Sequence, residues 1–523
     1  MSLETDVLVV GAGPTGLMLA NQLHRRGVRV RIIDRHAGPA MQTRALGVQA
    51  RTLEIYAHLG FADRAIALGK RATGADIWSL GRHAARVPLS TIGLGISPYP
   101  YLLILGQDDN ERLLGDKLRE QGVMVEWNTE LTGIAQAPDH ARATLKMPDG
   151  STQETTSAWI AGCDGAHSAV RELNRIAFSG APYEHVFFVA DVEMTGSMVP
   201  EEVNVYLWRQ RFHLFFPMRG ENHWRIVGIL PRELRDRKDL AFEELSPFIE
   251  RDAGSSMAFR KCSWLSTYRI HHRRAEQFRV GRCFVLGDAA HIHSPVGAQG
   301  MNTGLQDAYN LAWKLALVTS GKAAEALIDS YAEERLPVAR RLLETTDRMF
   351  SVVVSENPFI ALFRTRVLVR IAALVMKLRA AQRLAFRTIS QTGIHYRESS
   401  LSESLAGLPA DAPRAGDRFP WLRLALERDE PVQSLYEKLD DTRFTLILFG
   451  QPAPTGGLPK LDGLLDVLGV PSNPANDAEL ARAHVPPVSF YLLRPDGYIA
   501  MAGLKLDTGA VLRYVEGRLH IRP

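Results

Sequence analysis

The stretch DVLVVGAGPTGLMLANQLHRRGVRVRIID, residues 6–34, decides the fold. Its opening, Asp6 to Val10, is a short β-branched run of the kind buried on both faces of a parallel sheet. Gly11-Ala12-Gly13-Pro14-Thr15-Gly16 interrupts it, and helical periodicity then runs from about Thr15 to Arg26. Val28 to Asp34 reads as a second strand, which completes a β-α-β unit and predicts a doubly wound sheet. Gly11 permits the tight turn, Gly13 lets a pyrophosphate approach the backbone, and Gly16 lets helix and strand pack closely. Free N–H groups and the helix dipole favour phosphate at that turn. Asp34 stands where a ribose hydroxyl would be held, with Arg35 beside it as a further cofactor-binding candidate. The glycine pattern alone does not separate FAD from NAD.

A second motif makes that distinction. The strand Cys283-Phe284-Val285-Leu286 ends in Gly287-Asp288-Ala289-Ala290-His291. Pro295, Gly297 and Gly300-Met301-Asn302-Thr303 follow, at the head of a helix expected from about Met301 to Ser320. A carboxylate at a strand end can hold a polyol hydroxyl, which the ribityl chain of FAD supplies and NAD lacks. Amides at the helix head would face the flavin edge where negative charge collects on reduction. A third motif, Asp164-Gly165-Ala166-His167-Ser168-Ala169-Val170-Arg171, follows the apolar Trp159-Ile160-Ala161. An Asp-Gly pair by itself is most often a turn.

In this order the three motifs resemble those of the class A flavoprotein monooxygenases, the family of para-hydroxybenzoate hydroxylase and phenol hydroxylase. The resemblance spans roughly the whole chain. It implies that Gly11, Gly13, Gly16 and Asp34 bind the ADP half of FAD, and that Asp288 holds the ribityl chain. It places the isoalloxazine contacts around Gly300, Met301 and Asn302, with Pro295 in the loop before them. Asp164-Gly165 resembles the family's DG motif, which contributes to both FAD and NAD(P)H binding, and Arg44 the family arginine near the flavin and its phosphates. Gln107 or Arg112, at the helix opening after LLILG, matches a position that often contacts the cofactor. No second glycine motif has its own strand-turn-helix context, and in the resembled family NADPH or NADH binds only transiently in a surface groove.

The fold expected is α/β, a Rossmann-type FAD-binding domain with an inserted antiparallel-sheet substrate domain and a helical segment, and the last module, with its Arg494-Pro495-Asp496-Gly497-Tyr498-Ile499 turn, resembles the C-terminal thioredoxin-like domain of the family's larger members. The FAD-binding domain is assigned to residues 1–74, 105–175 and 270–340, and the substrate-binding sheet to 75–104 and 176–269. Alternating strands at VNVYLW, FHLFFP and HWRIVGIL carry that sheet. Residues 341–407 form the helical segment, with helix beginning at Pro337, and Leu408 to Arg418 reads as a linker. In the terminal module, 408–523, strands are expected at Phe444 to Phe449, Val488 to Leu493 and Tyr498 to Ala502. Helices are expected near Leu461 to Leu468 and at the end of the chain. No cysteine follows Cys283, so this module is expected to serve packing or homodimer assembly rather than dithiol chemistry.

Composition narrows the partners. Among 523 residues the net charge is +4 and no basic run stands out, so nucleic acid is not expected. Three scattered cysteines without a CxxC fit a reducing cytoplasm and argue against a metal site. No signal peptide or membrane span is expected. The arginine-dotted apolar segment from Phe359 to Arg387 reads as packed helices in preference to a membrane-surface helix.

The function expected is hydroxylation of a phenolic or polycyclic aromatic molecule with NAD(P)H and O₂. By the family's chemistry a flavin C4a-hydroperoxide attacks the electron-rich ring. Asn204, Tyr206, Trp208, Phe212, Leu214 and Phe216 are candidates for an aromatic wall, and simple sheet packing explains each equally well. His213, Arg211 and Tyr206 are candidate partners for a phenol oxygen, although such residues on a strand are more often structural. His291 and His293 belong to the flavin loop. A halogenase would carry WxWxIP, which His223-Trp224-Arg225-Ile226 does not match. A flavin-dependent reductase of an unsaturated molecule and a non-catalytic flavin-binding protein stay open.

Overall fold

The computed structural model describes residues 3–40, 45–208, 211–237, 239–254, 257–292, 299–354, 357, 359, 363, 371, 374–427, 431–454, 458, 461 and 463–521. The opening unit forms as its composition dictates. Thr5–Val10 pairs in parallel with Val30–Ile33 on one side and with Thr152–Gly162 on the other. Cys283–Val285 extends the sheet in parallel beyond Thr152–Gly162. Val7, Leu8, Val9, Ile32 and Ile33 have no exposed surface, and each such side chain contributes roughly 1.5–3 kcal/mol on burial. The helix Pro14–His24 covers the sheet and packs on the long helix Gly300–Thr319.

A second sheet of eight strands accounts for the inserted texture. Val203–Leu207, Phe212–Pro217 and His223–Ile229 are antiparallel neighbours, as the alternation predicts. Two long strands, Phe178–Thr195 and Ala258–Ala275, pair beside them, and Ala75–Ser79 joins in parallel with Val203–Leu207. The helix Phe242–Ala253 covers one face, where Leu245 and Ile249 meet Tyr206, Phe215 and Ile226. On the other face, Val205 and Phe216 pack against Leu46, Leu102, Ile104 and Phe386.

In the C-terminal module the strand order is Leu465–Val470, Phe444–Phe449, Ser489–Leu493, Ile499–Gly503. The first pair is parallel and the rest antiparallel, the arrangement of a thioredoxin-like domain. The helix expected near Leu461 to Leu468 is absent: Leu465–Val470 is a strand, in register with Phe444–Phe449. Its leucine spacing mimics one helical turn, yet Gly463 and Gly469 bracket it and the neighbouring strand supplies the partner. The helix lies instead at Pro474–Arg482, where the Asn473 side chain accepts from the Asn476 N–H at 2.8 Å. Likewise the helix expected from Pro337 begins earlier, at Ser330, with the proline inside it.

Residues 408–418 are no tether. Ala412, Ala415 and Arg418 are buried, and Gly416 bonds Ile499 through its N–H and Tyr396 through its carbonyl. Gly416 adopts φ +86°, and a Cβ there would lie 2.5 Å from the Arg397 nitrogen. Charge also joins the module to the first domain. Arg418 donates to both Glu54 oxygens, at 2.6 and 2.9 Å. Glu334 accepts from Lys314 at 2.7 Å and from Arg494 at 3.1 Å. Burial alone would raise the Glu54 carboxyl, and Arg418 and Arg51 hold it below its usual range instead. In the Phe359 to Arg387 segment, the described Phe359, Leu374, Leu378 and Leu384 are exposed, while Phe386 packs inward.

Candidate cofactor site

Parallel pairing brings the three motifs to one edge. Val10 is level with Gly162, and Gly162 with Val285, so the turns that follow all three strands leave the sheet together. Backbone bonds fix the level: Cys163 N–H donates to Val10 at 2.7 Å and Leu286 N–H to Gly162 at 2.9 Å. Ligands of open α/β sheets bind outside the carboxyl ends of the strands.

The glycines divide as a nucleotide turn requires. Gly11 has φ +100°, and a Cβ there would sit 2.4 Å from the Cys163 carbonyl oxygen. A Cβ on Gly16 would lie 1.9 Å from the Gly11 oxygen. At Gly13 a Cβ would meet nothing within 4 Å among the described residues. Protein therefore fills the space over Gly11 and Gly16 and leaves it open over Gly13, at the head of the helix Pro14–His24. Asp34 folds back over the same turn, with Oδ2 accepting from the Ala12 N–H at 2.7 Å and Oδ1 from the His36 N–H at 2.9 Å. Arg35 is exposed beside it.

Asp164 is half-buried, and its Oδ2 accepts from the Val170 N–H at 3.2 Å. Its buried Oδ1 has no hydrogen-bond partner among the described residues, and a ligand hydroxyl fits it. Burial raises this carboxyl above its usual range. Arg171 ties the motif to the Asp288 turn by donating to Ala289 at 3.1 Å and Ala166 at 2.8 Å. Asp288 itself is exposed at the turn Gly287–Ala289. The buried orphan oxygen, the open space over Gly13 and the exposed Asp288 together fit an FAD-sized dinucleotide.

The long helix starts at Gly300, as expected, so the first-turn N–H groups of Gly300, Met301 and Asn302 lack intrahelical acceptors. The Asn302 side chain turns into the protein. Its Oδ1 accepts from Gln49 N–H at 2.9 Å and Thr52 Oγ1 at 2.7 Å, while Nδ2 donates to Gly47 at 2.8 Å. This clasp pins the 47–52 segment to the helix head. Gln107 donates to Glu111 at 2.8 Å, and Glu111 accepts from the Ala40 N–H at 2.9 Å, which holds the segment leading to residues 41–44. Arg112 points to solvent and pairs with Asp109. Arg44, His293, Pro295 and Gly297 lie outside the described residues.

Sequence reasoning missed the support under the Asp288 turn. Asp307 accepts from the Gly287 N–H at 3.1 Å, from His291 Nε2 at 2.7 Å and from Arg335 Nε at 2.6 Å. Burial would raise the Asp307 carboxyl, and Arg335 and His291 lower it. The signal was a polar stripe, Asn302, Gln306, Asp307, Asn310 and Lys314, in an otherwise apolar helix.

The candidate phenol partners are not brought to this edge. His213 bonds Asp252 at 3.2 Å, and Arg211 grips the same carboxylate at 2.6 and 2.9 Å, on the face covered by Phe242–Ala253. Tyr206 is on that face too, stacked on Trp78 at 5.3 Å. Strand pairing sets Asn204 and Tyr206 with Phe215 and His213, so these side chains lie away from Leu46 and the helix head. Phe216, by contrast, faces the cluster that includes Leu46. Among the described residues no group of side chains is arranged to hold a metal ion, and no helix is long and apolar enough to cross a membrane.

The FAD binding domain family matches residues 4–346. The 6-methylpretetramide 4-monooxygenase of Streptomyces rimosus is 34% identical over 535 residues, covering 99% of this chain and 94% of that protein. Pentachlorophenol 4-monooxygenase of Sphingobium chlorophenolicum is 31% identical, with 95% of this chain and 86% of that protein covered. Among solved structures, OxyS anhydrotetracycline hydroxylase from Streptomyces rimosus superposes with a TM-score of 0.78 at 26% identity, over 99% of this chain and all of that one. With its motif turns meeting at one sheet edge and its likeness running end to end, the chain belongs to the class A flavoprotein monooxygenases, the FAD-dependent hydroxylases of aromatic compounds.

Proposed function

We propose that this monooxygenase hydroxylates a polycyclic or heavily substituted phenol. The observation that carries the reading is the convergence of the Gly13, Asp164 and Asp288 turns beside an apolar cluster of Leu46, Leu102, Ile104, Phe216 and Phe386. The names of the relatives, which include a pretetramide and an anhydrotetracycline hydroxylase, support a large ring system. FAD when bound supplies hydride acceptance from NAD(P)H and activation of O₂. The amides at Gly13 and the first turn after it hold the pyrophosphate, and Asp34 takes a ribose hydroxyl. Asp288 holds the ribityl chain, and Asp164 accepts a hydroxyl on its orphan oxygen. The N–H groups at Gly300, Met301 and Asn302 stabilise negative charge on the flavin edge. The apolar cluster excludes water from the reacting ring. The assignment extends to Arg35, Arg44, Gln107 and Pro295 as flanking contacts. The sheet pairings support the division into an FAD-binding domain, an inserted sheet domain and a thioredoxin-like module. A homodimer in the cytoplasm extends the same reading.

The test uses the purified FAD-loaded enzyme with a panel of simple phenols, quinonoid polyketides and phenolic drugs. NADPH oxidation and O₂ uptake should rise with one class, giving a product heavier by one oxygen atom. Consumption that no phenol stimulates would defeat the proposal.

A further inference from the structure

A cavity of about 1120 Å³ opens between the head of the long helix, at Gln299 and Thr303, and the C-terminal module, at Trp421 and Arg482. Arg341, Arg379, Arg383, Arg387 and Arg414 line it, and among the described residues none of their guanidiniums pairs with a carboxylate, although the Arg414 backbone N–H donates to Asp417 at 3.2 Å. The carboxylates that line it are paired within its wall, Asp417 with Arg397 and Asp411 with His484. Arg379, Arg383 and Arg387 are spaced four apart on the helix Arg379–Ile389, which sets their guanidiniums in one row. Like charges at that spacing disfavour the helix that carries them. Burial and the neighbouring cations Arg418 and Arg383 lower the Arg387 pKa. A cavity built against its own charge in this way selects a ligand with several negative groups. Guanidiniums bind phosphate in particular, by paired charge-assisted hydrogen bonds.

We infer that this arginine-lined cavity docks the phosphates of NADPH, including the 2′-phosphate, at the head of the flavin helix. The inference rests on the hydroxylase reading, which requires a nicotinamide reductant. The chain offers no second glycine turn of the kind that receives a dinucleotide on a helix N-terminus. A polyanion recruited by side chains, in addition to what the Asp164-Gly165 turn contributes, also fits a co-substrate that must leave after each turnover.

The probe is 2′,5′-ADP, titrated calorimetrically into the FAD-loaded enzyme, because it reports docking without turnover. R383E/R387E should weaken it about a hundredfold, two guanidinium–phosphate contacts at roughly tenfold each. R383Q/R387Q, a milder pair, should weaken it less, and flavin content and melting temperature check that both variants fold. The KM for NADPH should rise with kcat at saturation retained, and the preference for NADPH over NADH should shrink. Wild-type affinity for 2′,5′-ADP should fall as salt is raised. Unchanged 2′,5′-ADP affinity in both variants overturns the inference. So does a wild-type enzyme that does not bind it, or variants that raise only the KM for the aromatic substrate. A wild-type enzyme that binds 2′,5′-ADP yet oxidises no phenol sinks the hydroxylase proposal and leaves the docking site standing.

Discussion

Substituting alanine at Gly13 and at Gly16 should separate two effects that a glycine motif normally merges. At Gly16 the new Cβ would fall 1.9 Å from the Gly11 oxygen, a backbone atom, so helix and strand must part. Overpacking of this kind costs about 1–3 kcal/mol or more, and the apoprotein should melt well below wild type. At Gly13 the backbone is already compatible with alanine, with φ −71° and ψ −178°, and the Cβ meets no atom of the described residues within 4 Å. The entropic gain of alanine, about 0.4–1 kcal/mol, is offset by its weakness as a helix cap. Apoprotein stability should therefore stay within about 1 kcal/mol of wild type. FAD affinity should nonetheless fall at least tenfold, about 1.4 kcal/mol, because the methyl enters the space left for the pyrophosphate. Thermal melts of flavin-stripped protein and titration of FAD by fluorescence quenching measure the two quantities. Wild-type FAD affinity in G13A, or equal destabilisation of the apoprotein by both variants, would refute the assignment of that space.

Asp307→Asn should destabilise the protein by about 3–5 kcal/mol, since it leaves the buried Arg335 guanidinium without its counter-charge. A melt of D307N beside D307N/R335M checks this, the double variant recovering much of the loss. Asn302→Ala should leave Gln49 N–H and the Gly47 carbonyl without their partner and cost about 1–3 kcal/mol. Release of FAD at a lower temperature than in wild type reports it. Asp252 is held at about 2: burial would raise it, and hydrogen bonds from His213 and Arg211 lower it. With the folded value below the ordinary 3.8, the stabilisation is complete above that value and is lost as pH falls through about 2. Denaturant melts between pH 5 and 2 should show a slope that D252N flattens.

The cofactor half of the molecule was legible because each of its turns is forced by residue type. Only glycine tolerates the approach at Gly11 and Gly16, and a run such as Asp6 to Val10 has few alternatives to a buried strand. The inserted sheet was legible where polar and apolar residues alternate, in Val203–Leu207 and Phe212–Pro217. Phe178–Thr195 and Ala258–Ala275 escaped because each is interrupted by shifts in register and breaks the apolar alternation with charges, three in the first and five in the second. Leu461 to Leu468 misled because four leucines at helical spacing, Leu461, Leu464, Leu465 and Leu468, carry no information about a neighbouring strand. His213 and Arg211 misled differently. Their alternation along the strand is real, but which face meets the helix and which meets Leu46 is decided by Asp252, from residues far away in the chain.

The carboxylates of Glu54 and Glu334, held by Arg418 and Arg494, mean that this protein has no severable tail. A chain cut near residue 400 would keep both acids, with Arg51 and Lys314 beside them, and lose Arg418 and Arg494. The truncated remnant would have to flood those sites with water or protonate them, and Trp313 and Leu317 of the long helix would lose the apolar cover of Phe444 and Leu492. The last hundred or so residues thus act as a keystone for the first domain, and their sequence is constrained by charges lying on the other side of the seam.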